Sequence, residues 1–285
     1  MRETTPGGAG GRRLLLCYAH PDDESFGSGP LIAKYVAEGA EVYLICATNG
    51  EAGTVAPEHM NGHKSVSEVR LAELACAAQT LGLREVIRLG YRDSGMMGSA
   101  DNNHPEALWQ APVEQVAERV AAEIQRIRPQ VVITFDPYGG YGHPDHIQIH
   151  RATVAAMQLL NDDPARPQRL YYAVFPRIIV RIAVLGMRLL GRDPRRAGRN
   201  GDLDLQAVLD AAQPIHARVD VGAYYETGMA AARCHASQGN PRDPGPGRRW
   251  LARRLSRYAD FSRAEPPPAR VERLERDLFE QVRIG

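Results

Sequence analysis

Short apolar runs alternate with amphipathic stretches over the first 175 residues of the chain. The apolar run that begins at Leu14 and ends before His20 has the length and the flanks of a buried parallel strand. Between such runs, apolar residues recur at helical spacing, which predicts amphipathic helices. Strand–helix–strand units of this kind form right-handed crossovers and a parallel sheet. Four further strands are predicted at residues 41–47, 86–89, 131–135 and 170–175, and helices at 27–39, 68–82, 113–126 and 147–160.

The pattern changes after residue 176. We therefore predict an α/β protein with a Rossmann-like, mostly parallel sheet flanked by helices in residues 13–176. A smaller C-terminal extension, residues 177–285, is expected to complete the pocket. Residues 1–12 are rich in glycine and are expected to be flexible. Within the extension, the spacing predicts a strand at 214–221, helices at 178–190, 224–235 and 271–284, and loops at 191–201 and 240–247.

Three arginines, Arg177, Arg181 and Arg188, fall on one face of the predicted helix 178–190. An amphipathic surface helix or an oligomer contact, which would make the protein a homo-oligomer, accounts for this pattern. A helix that lies on a membrane surface or forms a lid is the alternative.

Polar residues that can bind a metal follow two of the predicted strands. The first loop holds an imidazole and three carboxylates, and the loop after residues 131–135 holds a similar set. The carboxyl ends of parallel strands are where ligands bind in open α/β sheets, and unpaired buried carboxylates are costly. A strand order of 3-2-1-4-5 would bring the two loops together. The residues are His20, Asp22, Asp23 and Glu24 in the first loop, and Asp136, His143, Asp145 and His146 in the other.

A catalytic zinc takes three protein ligands with N or O donors and keeps one position open for water. The set that fits is His20, Asp23 and His146. Adjacent carboxylates cannot easily present the same face to one ion, so Asp22 is predicted to act as general base. His143 would bind the developing oxyanion or protonate the leaving amine.

Two other residues would assist His143: Asp145 by holding its ring, and Tyr141 by polarising the carbonyl. Either His-Pro-Asp segment alone could be a simple helix cap. Capping explains the two together much less well.

Composition adds several exclusions. The 35 Lys and Arg residues balance 34 Asp and Glu residues, so the net charge indicates no nucleic-acid partner. No apolar window reaches the ~18 residues of a spanning helix, so no membrane insertion is expected and a cytoplasmic protein is the default. The cysteines are widely spaced and form no C-x-x-C pair. We therefore expect them to be small buried hydrophobic residues of a protein in a reducing compartment, with no disulfide between them. They are Cys17, Cys46, Cys76 and Cys234.

The segments Ala19-His20-Pro21-Asp22-Asp23-Glu24 and Gly142-His143-Pro144-Asp145-His146 resemble the PIG-L/LmbE family of zinc-dependent N-acetylglucosamine deacetylases. The resemblance runs from residue 14 to about residue 172 and resumes near residue 235. It implies a Rossmann-like fold, one zinc ion per chain and hydrolysis of an N-acetyl group on an amino sugar. Iron(II) is the alternative metal. The implied ligands, base and oxyanion donor are the residues already assigned.

The resemblance also implies substrate contacts. Arg70 and Asp93 match positions that contact the sugar or its aglycone, and Glu51 does so less closely. Near the C-terminal end of the resemblance, His235 and Gln238 are weaker candidates. For these two, a helix-end cap and a surface polar residue are the alternative.

Residues 89–96 and 136–142 look most like the mycothiol branch of the family, which includes a deacetylase and a conjugate amidase. Residues 52–64 and 175–205 depart from that deacetylase and would shape the aglycone side of the pocket. The expected activity is therefore removal of an N-acetyl group from an N-acetylglucosamine-type substrate. Three alternatives stay open: an amidase for a larger acyl amide such as a thiol conjugate, a non-catalytic sugar-binding relative, and a nucleotide binder, which the missing G-x-G-x-x-G fingerprint disfavours.

Overall fold

The computed structural model describes residues 11–60, 62–198, 201–239, 245–269 and 273–284. Residues 1–10 of the predicted flexible N-terminus and residues 240–244 of the predicted loop at 240–247 lie outside this part of the chain.

Seven described strands form one sheet in the order β3-β2-β1-β4-β5-β7-β6. The first five are parallel and follow the predicted order, while β7 pairs antiparallel with both β5 and β6. The C-terminal extension thus adds two strands to the edge of the sheet beside β5. The strands are β1 (Arg13–Tyr18), β2 (Glu41–Thr48), β3 (Glu85–Tyr91), β4 (Val131–Phe135), β5 (Arg169–Ala173), β6 (Ala217–Asp220) and β7 (Tyr258–Glu265).

Helices flank the sheet, and most lie where the apolar spacing predicts them. The described helices are α1 (Asp23–Phe26), α2 (Gly29–Ala37), α3 (Val66–Leu81), α4 (Val113–Ile127), α5 (Gly139–Gly142), α6 (Pro144–Leu159), α7 (Arg177–Leu189), α8 (Leu205–Ala211), α9 (Tyr225–Cys234) and α10 (Pro246–Leu255).

The apolar core lies on both faces of the sheet. Because side chains alternate along a strand, Leu14 and Leu16 of β1 pack on one side with α2, while Leu15 and Cys17 pack on the other with α4 and α6. Strand β1 is buried on both faces, which explains why its sequence is a continuous apolar run.

Neighbouring strands β1 and β4 position the site. Leu14 pairs with Val131 and Leu16 with Ile133 in parallel register, so the two strands end side by side. Strand β1 also pairs with β2 on its other edge, which makes this the point where the strand order reverses. The loops after β1 and β4 therefore open into one cleft.

The predicted helix 271–284 is wrong over its described part, residues 273–284, which form turns and bends. The backbone of Glu275 bonds to residues 216 and 218 beside β6 instead of forming helical hydrogen bonds. Leu278 and Phe279 are buried in the core, and the Leu278 N–H donates to the Tyr35 hydroxyl. Tertiary contacts therefore outweigh the helical preference of this charged segment. Strand β7 and helices α1, α5, α8 and α10 were not predicted.

The cysteine expectation holds for two residues and is wrong for the other two. Cys17 and Cys46 are free and buried. Cys76 of α3 and Cys234 at the end of α9 form a disulfide across a Cα–Cα distance of 5.8 Å. The packing of α3 against α9 brings these widely separated positions together, which spacing along the chain could not reveal.

Among the described residues, no helix combines the length and the apolar character needed to cross a bilayer.

Candidate active site

His20 and His146 bring two ring nitrogens together at the base of the cleft. Nδ1 of His20 lies 3.1 Å from Nε2 of His146. Nδ1 of His146 lies 3.1 Å from the carbonyl oxygen of Gly139, which can only accept, so that nitrogen carries the proton of the neutral ring. Nε2 of His20 lies 3.1 Å from Oδ2 of Asp145 and is likewise the donor. The two facing nitrogens thus present lone pairs to each other, which is stable only with a proton or a cation between them.

Asp23 supplies the third donor. Its Oδ1 lies 3.4 Å from Nε2 of His146, and its Oδ2 lies 3.6 Å from Nδ1 of His20. Ligands at zinc distances in a tetrahedral site are about 3.3 Å apart. The two separations are close to this spacing, although each is measured to a different oxygen of the Asp23 carboxylate. Burial alone would raise the pKa of the Asp23 carboxyl, but the neighbouring His146 and His20 hold it well below its usual range.

The charge around His20 is strongly negative. Burial would lower the pKa of His20, yet Asp93, Asp145 and Asp23 raise it well above its ordinary value. Oδ1 of Asp93 lies 3.6 Å from Nε2 of His20. These buried carboxylates carry a negative charge that is costly to bury alone. A bound cation would neutralise it.

His143 also lies close to these groups, since one ring nitrogen from each of His20, His143 and His146 fits within 4.8 Å. Nδ1 of His143 accepts the backbone N–H of Asp145 at 3.2 Å, so Nε2 carries the proton. Burial, together with the other two histidines, lowers the pKa of His143 to about 3. In this tautomer His143 is a neutral N–H donor, and its predicted role beside the metal, as opposed to a role as a third imidazole ligand, stays a prediction.

Tyr141 lies beside this donor, with its ring centroid 6.1 Å from that of His143 and 4.9 Å from that of His146. Burial raises the pKa of the Tyr141 hydroxyl, so it stays protonated. Both predicted oxyanion donors thus flank the predicted metal ligands.

Asp22 lies at the start of α1 but makes no side-chain capping hydrogen bond. Its φ of 138° is rare for a residue with a side chain and marks local backbone strain. Oδ2 of Asp22 accepts a hydrogen bond of 2.9 Å from Arg70. Burial raises the pKa of Asp22 to about 7, although Arg70 lowers it. A carboxylate that titrates near neutrality suits a general base.

Arg70 lies on α3 and is almost completely buried. It also donates to the carbonyl oxygens of Pro21 at 2.6 Å and Gly50 at 3.3 Å. A side chain at Gly50 would collide with the guanidinium, because its Cβ would lie 2.4 Å from a terminal nitrogen. The structure gives Arg70 protein partners, so its predicted sugar contact stays a prediction.

Asp145 is held differently from the sequence expectation. Its side chain accepts from the backbone N–H of Ser94 at 2.9 Å, bonds the Ser94 hydroxyl, and contacts His20. The prediction that the Asp145 carboxylate holds the ring of His143 is wrong. Only the backbone N–H of Asp145 bonds that ring. Helix α6 begins at Pro144, which places Asp145 and His146 in its first turn. Ser94 was missed, although its place in the polar loop after β3 was a signal.

The remaining predicted contacts divide into two groups. Glu51 lies in the cleft, where its carboxylate accepts the backbone N–H of Asp93 at 3.1 Å. Gln238 donates to Ser237 at 2.9 Å. His235 is fully buried, so the structure corrects its predicted direct contact with substrate to a supporting position. Whether Asp93, Glu51 and Gln238 contact a substrate stays a prediction.

Comparisons with known proteins agree with this geometry. The sequence profile described as "PIG-L: GlcNAc-PI de-N-acetylase" matches residues 15–157, the segment with both ligand loops. The chain belongs to this family. A "1D-myo-inositol 2-acetamido-2-deoxy-alpha-D-glucopyranoside deacetylase" of Streptomyces avermitilis is 37% identical over 296 aligned residues, which cover 95% of this chain and 97% of that protein. A protein of the same name from Thermomonospora curvata is 39% identical over 242 residues, with 80% of each chain covered.

A solved structure shares the fold at lower identity. The "N,N'-diacetylchitobiose deacetylase from Pyrococcus horikoshii" superposes with a TM-score of 0.56 and 20% identity, and covers 92% of this chain and 88% of its own. The family explains why the two motifs occur together. The structure places His20, Asp23 and His146 close to one another, and their role as metal ligands stays a prediction.

Proposed function

We propose that this chain is a metal-dependent hydrolase that removes the N-acetyl group from an N-acetylglucosaminide and releases acetate and a free amine. The observation that carries the proposal is the set of lone pairs on His20, His146 and Asp23, which converge at the loop that also carries Asp22. The names of the relatives support an inositol-linked amino sugar as the substrate class.

The donor set of two imidazoles and one carboxylate fits zinc in a catalytic site, with one ion per chain. Iron(II) accepts the same ligands. The metal, when bound, would acidify a water molecule and polarise the amide carbonyl. The hydrogen bonds of His20 to Asp145 and of His146 to Gly139 fix each ring with its lone pair directed to the centre of the site.

The protein supplies the proton transfers. Asp22 would accept the proton of the attacking water, and its neighbour Arg70 keeps the carboxylate in position. Nε2–H of His143 would donate to the carbonyl oxygen as negative charge develops there. The leaving amine would then take up the proton that Asp22 removed from the water, relayed through His143 or Tyr141, so that the relaying group regains a proton as it gives one up.

Asp22→Asn tests the base. We expect this variant to retain its metal and to lose about 10²–10⁴-fold in kcat. The exposed Asp162→Asn on the surface is the matched control and should keep full activity. Acetate and amine release from N-acetylglucosaminyl-inositol should be measured together with metal content. Unchanged turnover in Asp22→Asn would exclude Asp22 as the base.

The same assay separates the alternatives. Amine release from acyl-cysteine conjugates without acetate would identify an amidase for larger acyl groups. Sugar binding without release of either product in metal-loaded protein would identify a binding module. His20→Ala should lose the metal, and a metal content equal to that of the wild type would contradict the proposed ligand set.

A further inference from the structure

Helix α7 presents three different faces. Val180 and Val184 point inward and form an apolar cluster with Val208 of α8, and Tyr138 and Tyr141 pack against this cluster. The opposite face is apolar as well, although it is open to solvent. Its side chains recur at helical spacing and are between 56% and 79% exposed; they are Ile178, Ile179, Ile182, Leu185, Leu189 and Leu190.

The third face is cationic. Arg177, Arg181 and Arg188 lie four and seven residues apart, which places them on one flank between the inward and outward apolar faces. Within the described residues, neither Arg177 nor Arg181 has an ion-pair partner, and Arg188 bonds only the neutral Gln206. Residues 177–192 contain no Asp or Glu. The turn that follows adds the exposed Arg192, Arg195 and Arg196 together with one exposed carboxylate, that of Asp193.

This arrangement differs from an ordinary surface helix, in which the face opposite the core is polar. A contiguous apolar patch of this kind marks a contact with a partner. The unpaired arginines indicate the kind of partner. They flank the apolar face, so a complementary partner presents anionic groups next to an apolar surface. A second copy of the same face would add more arginines and no carboxylate.

We propose that α7 is an interfacial helix that docks the protein on an anionic lipid surface. The Ile and Leu side chains would enter the acyl boundary, while the arginines would bind lipid phosphates at headgroup level. The inward face shares an apolar cluster with Val208 of α8, and Tyr141, in the loop that leads to His143, packs against that cluster. The proposal concerns a surface and does not depend on the reaction at the cleft.

Vesicle flotation with the full chain tests the proposal. We expect the wild-type protein to bind vesicles of equal parts phosphatidylglycerol and phosphatidylcholine, and to bind pure phosphatidylcholine at least about tenfold more weakly. High salt should weaken binding to the anionic vesicles. Ile182→Glu/Leu185→Glu and Arg177→Gln/Arg181→Gln should each reduce that binding at least about tenfold. Leu159→Glu, at a residue 59% exposed on α6, is the matched control and should bind like the wild type.

The outcomes are distinct. Failure of the wild-type protein to bind anionic vesicles would overturn the proposal, as would unchanged binding by both α7 variants. Sedimentation velocity without lipid should show the same oligomeric state for the wild type and Ile182→Glu/Leu185→Glu. A wild-type dimer that this variant dissociates would show that a second copy covers the face. If Ile182→Glu/Leu185→Glu does not fold, the proposal is still tested by Arg177→Gln/Arg181→Gln and by the comparison of anionic with neutral vesicles for the wild type.

Discussion

Nε2 of His235 lies 2.7 Å from Oε1 of Glu24, and both side chains are fully buried. The other carboxylate oxygen of Glu24 accepts the backbone N–H of Asp22 at 3.0 Å. The buried pair of His235 and Glu24 thus joins the C-terminal extension to the loop after β1. Through Glu24, this pair is also connected to the backbone of Asp22. This contact gives Glu24 a structural role next to Asp23, the predicted ligand.

His235→Ala should destabilise the protein by about 3 kcal/mol, because it leaves the buried Glu24 carboxylate without its partner. Urea denaturation measures this loss. His63→Ala, at a partly exposed histidine 3.9 Å from Glu68, is the control and should change stability by well under 1 kcal/mol. Equal losses in the two variants would show that the buried pair has no special role.

The same pair predicts a pH dependence. Burial would lower the pKa of His235, but Glu24 outweighs burial and raises it. The stabilisation is therefore complete below the ordinary histidine pKa of about 6.5 and is lost as the pH rises through the raised value. The difference in unfolding free energy between wild type and His235→Ala should shrink at alkaline pH. A difference that grows with pH would contradict the pairing.

Asp145→Asn should weaken zinc binding by roughly 10–100-fold, because the amide cannot fix the His20 ring as the carboxylate does. Competition with a chromophoric chelator measures the affinity. Ser94→Ala removes one donor to Asp145 and should have a smaller effect in the same direction. Wild-type zinc affinity in Asp145→Asn would show that the carboxylate does not orient His20.

Arg70→Met should lower kcat by roughly tenfold to a hundredfold, because Asp22 loses the hydrogen bond that positions it. Arg70 lowers the pKa of Asp22, so its removal should also shift the acid limb of the kcat profile to higher pH. Arg70→Lys keeps the charge and should recover part of both effects. An unshifted acid limb in Arg70→Met would indicate a purely structural role.

How far sequence predicts this fold depends on where polar residues lie. Strands β1 and β4 are almost entirely apolar and were predicted closely. Strand β7 was missed because Asp260, Ser262 and Arg263 are buried within it and break the apolar alternation. Glu275, which bonds Arg263 and accepts from Tyr171 at 2.7 Å, completes this buried polar cluster. Buried polar contacts of this kind form only once distant segments have packed, so no local sequence pattern predicts them.

In the site, too, some features follow from local sequence and others depend on tertiary packing. His20 and His146 were predicted as neighbours because the ends of adjacent parallel strands share one edge of the sheet. The partner of Asp145 could not be predicted, because it depends on where the first turn of α6 meets the loop after β3. The support of Asp22 by Arg70 likewise requires the packed position of α3. Sequence motifs therefore predict which groups meet, while tertiary packing decides what holds each group.

The disulfide between Cys76 and Cys234 closes a segment with a sequence separation of 158 residues. In the chain-entropy account, a crosslink over so long a segment stabilises the fold by about 5 kcal/mol. It ties α3, which carries Arg70, to the end of α9 next to His235. Cys76→Ser/Cys234→Ser should therefore lower the Tm, and a reducing agent should lower the Tm of the wild type but not of the variant.

Cys17→Ser tests a free buried cysteine as the control, and its Tm should still respond to the reducing agent. Alkylation of denatured protein, followed by mass spectrometry, counts the free thiols. We expect two in the wild type without reduction and four after it, because Cys76 and Cys234 are alkylated only once the bond is broken. Four alkylated thiols without reduction would show that these cysteines are not bonded in solution, and the support of Asp22 would then depend on packing alone.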